Sequence, residues 1–218
     1  MPAKLNKPHI LGVLAGGDLP PARLAEWAHS AHIIIAADGA ANSLNSLDIL
    51  PTTTVGDFDS IGDSTKDKQA EVIHIPDQDS TDCDKLLFLA SQRGYAEITL
   101  VGVEGDLLDH VVGNLFSAAR SSLGIRLGLR RGIAFVLRGP VEWTREVPSK
   151  TRLSVMPLTQ CSGVTIEGAK WPLVDASLSP LGLSSLSNQA SGLVKASITE
   201  GTAVLFLAHK ELERPIWD

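Results

Sequence analysis

The sequence predicts an α/β protein, with a parallel sheet wrapped by helices in its first part and an antiparallel β domain in its second. Two patterns predict this. Up to about residue 140, short apolar runs alternate with amphipathic stretches, as β-α units do. From about Val141 the segments become short, largely alternate apolar with polar residues, and are spaced by Gly, Pro or Ser, as antiparallel strands are. A chain of 218 residues has ample material for a hydrophobic core, in one large domain or two modest ones.

In order along the chain, HILGVLAGG reads as a strand and LPPARLAEWAHS as a helix opened by proline; HIIIAAD and GAANSLNSL repeat the pair. TTTVGDFD and AEVIHIP are the next strands. DCDKLLFLASQRG is a helix closed by Gly94, AEITLVGV a strand, and HVVGNLFSAARSSLG a helix closed by Gly124. GIAFVLRG completes the series, so the halves meet at Gly139-Pro140, giving domains 1–139 and 140–218. Beyond it VEWTREV, TRLSVMPL, SGVTIEG, SGLVKASIT and GTAVLFLAH read as strands, and the serine-rich LSPLGLSSLSNQASG as loop.

Composition narrows the function. The net charge of −6 is unevenly spread: residues 38–109 carry fifteen acidic and four basic side chains, and residues 110–218 carry eight acidic and twelve basic. That acidic middle is still patterned with apolar runs, so it is folded, and it disfavours nucleic acid as a partner while favouring a cation. No apolar run approaches the roughly 20 residues that cross a bilayer, and MPAKLNKPHI has no secretory apolar region, so no membrane partner and a cytoplasmic location are expected. Cys83 and Cys161 have no CxxC companion and read as small buried hydrophobes.

The acidic and glycine-rich residues fall where parallel strands end, and ligands bind at the carboxyl edge of such sheets. Gly16 and Gly17 follow the first strand, Asp38 and Gly39 the second, Asp57 and Asp59 the third, Asp77 to Asp84 the fourth, and Glu104 to Asp109 the fifth. Singly, each aspartate is as readily a helix cap or turn former. In VGDFDS, however, extended backbone turns Asp57 and Asp59 to one side, a like-charge pair that a cation or a basic partner relieves. In DQDSTDCDKLL, Ser80 or Thr81 can cap the helix, while Asp82 and Lys85 share a face near its N-terminus, where amides favour phosphate. An acid that holds metal beside a lysine that meets phosphate suits phosphoryl transfer. Asp109 and His110 open the next helix. No GxxxxGK[ST] or GxGxxG motif is present, so a bound nucleotide would be held chiefly through Mg²⁺ on aspartates.

AADGAANSL, VGDFDSI, DQDSTDCDK and GVEGDLLDHVVGNL resemble, in this order, the ADGGAN, GDFDS, DxDxTDxxK and GxxGGRxDHxxxN segments of the thiamin pyrophosphokinase (thiamine diphosphokinase) family, and SGVTIEGAKWPL and LSSLSNQASG are similar to its thiamin segments. The resemblance implies a Rossmann-like ATP-binding domain followed by a β-sandwich domain, and a homodimer with thiamin held at the subunit interface. It implies transfer of the pyrophosphoryl group of ATP to the thiamin hydroxyl, with release of AMP. On matching positions, Asp57, Asp59, Asp82 and Asp109 would serve Mg²⁺ and ATP; Gln78, Thr81 and Lys85 would contact phosphate; and Trp171, Ser185, Ser187 and Asn188 would lie on the thiamin side. Gly16, Gly17, Asp38 and His110 complete the expected nucleotide site. Asp106-Leu107 stands where the family commonly has Gly-Arg, so a basic phosphate contact is missing. A pterin alcohol as acceptor, and a thiamin- or nucleotide-binding protein without turnover, are the alternatives.

Overall fold

A computed structural model describes residues 8–15, 19–57, 71–104 and 107–208. Gly16, Gly17, Asp59 and Asp106, singled out above, lie outside the described residues. The described chain forms two compact units, dividing between Arg130 and Arg131.

In the first unit the strands are β1 (Ile10–Val13), β2 (Ile33–Ala37), β3 (Thr53–Gly56), β4 (Val72–His74), β5 (Glu97–Val101) and β6 (Gly124–Leu129). All their pairings are parallel, in the spatial order β6-β5-β1-β2-β3-β4. The order reverses at β1, with β2 on one side and β5 on the other. Right-handed crossovers then place the helices α1 (Pro21–Ser30) and α2 (Asp38–Asn45) on one face of the sheet, and α3 (Asp82–Gln92) and α4 (Leu108–Arg120) on the opposite face. β1 and the last four residues of β2 and of β5 are buried, as strands covered on both faces must be.

Local chemistry sets the helix ends. Pro21 sits in the first turn of α1, where its missing N–H costs nothing. α3 opens on a capping box: the Thr81 hydroxyl accepts from the Asp84 amide, and the Asp84 carboxylate accepts from the Thr81 amide. Gly94, with φ +73°, closes the same helix in the left-handed region. Leu11, Leu44, Leu86, Ile98 and Leu100 are fully buried in this unit.

The second unit is antiparallel. β7 (Gly132–Arg138) pairs with β13 (Thr202–Ala208), which pairs with β9 (Arg152–Pro157). β12 (Ser185–Ile198) is shared: its first part pairs with β9, and its later part with β8 (Val141–Glu146) and β10 (Cys161–Ala169). β11 (Leu173–Leu178) pairs with β10.

Three sequence expectations change. GIAFVLRG is β7, and its pairing with β13 groups it with the second unit, so the units part at Arg130, ahead of Gly139-Pro140. GIRLGL, of which the sequence reading assigns only Gly124, and that as a helix end, is β6, because the helix ends at Arg120 and Gly124 opens the strand. The serine-rich segment is strand from Ser185 onward: Asn188 and Ala190 alternate inward, a period of two carried by small and polar residues.

Gly12 fixes how closely α3 sits on the sheet. A Cβ there would lie 2.6 Å from a Leu100 methyl and 2.9 Å from a Leu86 methyl. Gly12→Ala is therefore predicted to destabilise by about 1–3 kcal/mol through overpacking. Urea unfolding reads this, and an unchanged midpoint would contradict the close approach of Leu86 to β1.

Candidate active site

Because the first unit's strands are parallel, their carboxyl ends lie along one edge, and the segments after β1, β3, β4 and β5 meet there. They line a cleft of about 280 Å³ together with the first turns of α3 and α4. Seven of the predicted residues line it: Asp57, Gln78, Thr81, Asp82, Lys85, Asp109 and His110. Sequence reading missed Cys83 and Asn114. Asn114 follows His110 by one helical turn, a spacing that was there to be read.

Lys85 organises the cleft. Its side chain is only 2 % exposed, and its ammonium lies 3.3 Å from an Asp57 oxygen and 3.8 Å from an Asp82 oxygen. Asp57 also accepts from the Gln78 amide at 2.9 Å. The charge expected to strain VGDFDS is thus relieved at Asp57 by a lysine and an amide. Asp109 lies in the first turn of α4, accepting from the His110 amide at 3.1 Å; both side chains are exposed.

Asp38 does not line the cleft. It is 1 % exposed, accepts from the Gly39 amide at 2.6 Å, and packs where a Cβ on Gly56 would lie 2.5 Å from its carboxylate. Its place is beneath the rim, against the end of β3.

The first turn of α3 is tied to the last turns of α4. The Thr81 hydroxyl lies 2.8 Å from Asp84 and 3.3 Å from Ser117 of α4, and Arg120 of α4 donates to Asp84 at 3.0 Å. Thr81 is therefore a cap as well as a lining residue, and Arg120 is committed to an ion pair. Burial opposes ionisation of Asp84, but hydrogen bonds from Ser117, Thr81 and Arg120 outweigh it and hold the carboxyl below its usual range. Burial pushes the neighbouring Cys83 thiol up to about 12, so it is an uncharged wall.

In the second unit, Asn188 is 2 % exposed, and its amide brackets one backbone: Oδ1 accepts from the Trp171 N–H at 3.1 Å, and Nδ2 donates to the Trp171 carbonyl at 2.6 Å. It accepts from the Gln189 amide as well. Trp171 is 54 % exposed, and the Lys170 ammonium lies 4.6 Å from its ring centre. Ser187, with φ +61°, donates its amide to Ser154, and Ser185 opens β12 half-buried. The structure thus joins Trp171 and Asn188, with Asn188 holding Trp171 in place.

Since the Asp84 carboxyl is depressed on folding, its contribution is complete above the ordinary value of 3.8 and is lost as pH falls through the folded value. Asp84→Asn, which mimics the protonated acid, is predicted to cost about 1 kcal/mol at neutral pH. Denaturant unfolding well below pH 3.8 should show that difference vanish. A difference independent of pH would rule out the carboxylate as the tie between these helices.

Family profiles match both units. The profile of the thiamin pyrophosphokinase catalytic domain matches residues 24–127, and that of the thiamin pyrophosphokinase vitamin B1 binding domain matches residues 143–204. Thiamine pyrophosphokinase of Bacillus subtilis is 27 % identical over 175 residues, 75 % of this chain and 81 % of that protein. Thiamin pyrophosphokinase 1 of Caenorhabditis elegans is 33 % identical over 95 residues, 39 % of each chain. In fold, the crystal structure of the Bacillus subtilis enzyme aligns with a TM-score of 0.76 at 21 % identity, covering 93 % of this chain and all of the other. With the motif residues of three separate segments lining one cleft and both profiles matched in order, the chain belongs to the thiamin pyrophosphokinase family.

Proposed function

We infer that this protein is a transferase that moves the pyrophosphoryl group of ATP to the hydroxyl of thiamin, giving thiamin diphosphate and AMP. The observation that carries the reading is the convergence of Asp57, Asp82, Lys85 and Asp109 on one cleft at the sheet's carboxyl edge, in a chain whose second part matches a vitamin B1 binding domain. That second match weighs against a pterin alcohol as acceptor.

Mg²⁺ fits this donor set. Among the described residues no group of three or more acidic, His or Cys side chains is spaced to enclose a metal ion, yet Mg²⁺ needs only one or two carboxylates beside water and phosphate oxygens. Asp57 and Asp82 already turn toward one cation, the Lys85 ammonium. These two, with Asp109 and Asp59, would hold the ion; when bound, it neutralises and orients phosphate oxygens. In the transfer, the thiamin hydroxyl oxygen bonds to the β-phosphorus of ATP, and the bond from that phosphorus to the oxygen it shares with the α-phosphorus breaks. AMP leaves with that oxygen, and the hydroxyl proton passes to a cleft carboxylate or to water. Lys85 offsets charge on the phosphates, and Gln78 and Thr81 orient them, so the protein acts by position and charge.

Finer points belong to the same reading. The first unit, up to Arg130, is the Rossmann-like ATP-binding part, with Gly16, Gly17 and His110 completing the nucleotide site and the buried Asp38 supporting its rim from beneath. The second unit, from Arg131, is a β-sandwich thiamin-binding and dimerisation part. Trp171 supports this role, since its exposed ring already carries an ammonium and thiamin is itself a cation. Ser185 and Ser187 flank that site, and Asn188 keeps the indole in place. The working form is a cytoplasmic homodimer with thiamin at the subunit interface, and with no nucleic-acid or membrane partner. No described helix is long and apolar enough to cross a membrane.

Incubation with MgCl₂, ATP and thiamin tests the reading, with chromatography for AMP and thiamin diphosphate; absence of both products sinks it. Asp57→Asn is predicted to abolish AMP formation. It should also destabilise by roughly 1–3 kcal/mol, because it strips one partner from a buried ammonium. Wild-type turnover in this variant would remove Asp57 from the site.

A further inference from the structure

The helices α3 and α4 lie on one face of the sheet and both start at its carboxyl edge, so they run in the same direction. They are not level. The first turn of α3 meets the far end of α4, where Asp84 faces Ser117 and Arg120. Residues 108–116 of α4 therefore project past the start of α3, and they carry Asp109, His110 and Asn114 of the cleft wall. This projecting part is thinly covered: the buried residues of α4 are Ser117 and Ala118, both at the junction with α3, while Leu108, Val112 and Phe116 are exposed.

The junction is built from charge-assisted contacts. The Asp84 carboxylate accepts from the Arg120 guanidinium at 3.0 Å and from the Thr81 amide at 3.2 Å. The buried Ser117 hydroxyl bonds to Asp84 too, and lies 3.3 Å from both the Thr81 hydroxyl and the Arg120 guanidinium. Asp84, Ser117 and Arg120 are not among the residues lining the cleft, so they act on a ligand there through others. A helix of this length bends little, so its tilt is set where it is held. Asp109 stands about 12 Å along the axis from Ser117, at about 1.5 Å per residue. A tilt of about 5° at the junction then moves Asp109 by about 1 Å. Misplacement by about 1 Å can cost about a hundredfold in rate. We propose that Asp84, Ser117 and Arg120 are positioning residues for the transfer: together they fix the tilt of α4, and through it the distance of Asp109 and His110 from Asp82 and Lys85 across the cleft. The proposal rests on the transfer reading above.

Two measurements test it. Nitroxide labels on Leu108→Cys, at the projecting end of α4, and on Ser91→Cys, exposed on α3, report the tilt by pulsed electron paramagnetic resonance, with unlabelled protein in excess. The native Cys83 and Cys161 are buried and stay unlabelled. The otherwise native chain is expected to give one narrow distance, which Ser117→Ala and Arg120→Met shift or broaden by at least about 1 Å. Without labels, the same two replacements are expected to lower kcat for AMP formation at least about tenfold, with the KM for thiamin within about twofold, at a temperature where circular dichroism shows them folded. Arg120→Lys, which keeps a cation beside Asp84, is expected to recover most of the rate. A distance that both variants leave unchanged overturns the proposal. So does a changed distance with wild-type kcat, or an Arg120→Lys rate as low as that of Arg120→Met. Arg120 is 63 % exposed, so its replacement probes the junction even if Ser117→Ala does not fold. A distance that shifts in a protein forming no AMP would keep the junction as the holder of α4 and reject the transfer reaction, so the two failures are separable.

Discussion

The first unit's active edge depends on one buried charge. An ammonium that is 2 % exposed costs several kcal/mol to desolvate, and Lys85 recovers this only while Asp57 and Asp82 stay within reach. Asp57 follows β3 and Asp82 opens α3, so the ion pairs fix a strand end and a helix start relative to each other. Leu86, the next residue along α3, is fully buried and reaches the space left open by Gly12. Apolar packing of Leu86 thus sets the height of the helix, and the charge on Lys85 sets the position of its first turn.

Around that pair the edge carries an excess of negative charge. Asp57, Asp82 and Asp109 face the cleft against the one ammonium among its described lining residues, and Arg120 is spent on Asp84. A polyphosphate alone would meet like charge there, and the uncharged Leu107 does nothing to offset it. The imbalance reverses once a divalent cation accompanies the phosphates. On the proposed reading, the same carboxylates that repel a free polyphosphate would hold the cation that accompanies it.

Much of this edge was legible in the sequence, since side-chain chemistry at the ends of parallel strands is a local pattern. Asp57, Asp82, Lys85 and Asp109 each follow or open a strongly patterned element, and parallel pairing brings such ends to one side. What could not be read depends on partners distant in sequence. GIAFVLRG looks the same whether it extends a parallel sheet or pairs antiparallel with β13, and only the latter places it in the second unit. β6 hides behind Arg126 and its glycines. Asp38 has the look of a rim residue, but the absent side chain of Gly56 opens a buried seat for its carboxylate.

The second unit uses the same physical device with neutral groups. Asn188 is buried, and a buried amide without partners would be as disfavoured in kind as an unpaired ammonium. Its partners are both polar groups of the Trp171 backbone, so the indole cannot shift without breaking two hydrogen bonds at once. An exposed ring is ordinarily free to choose among rotamers, and a ligand that stacks on it must then supply the cost of ordering. Fixing the backbone from beneath removes part of that cost in advance. In each unit, then, a polar group with strong obligations lies inside and holds a chemically useful group at the surface: Lys85 holds two carboxylates, and Asn188 holds an aromatic face.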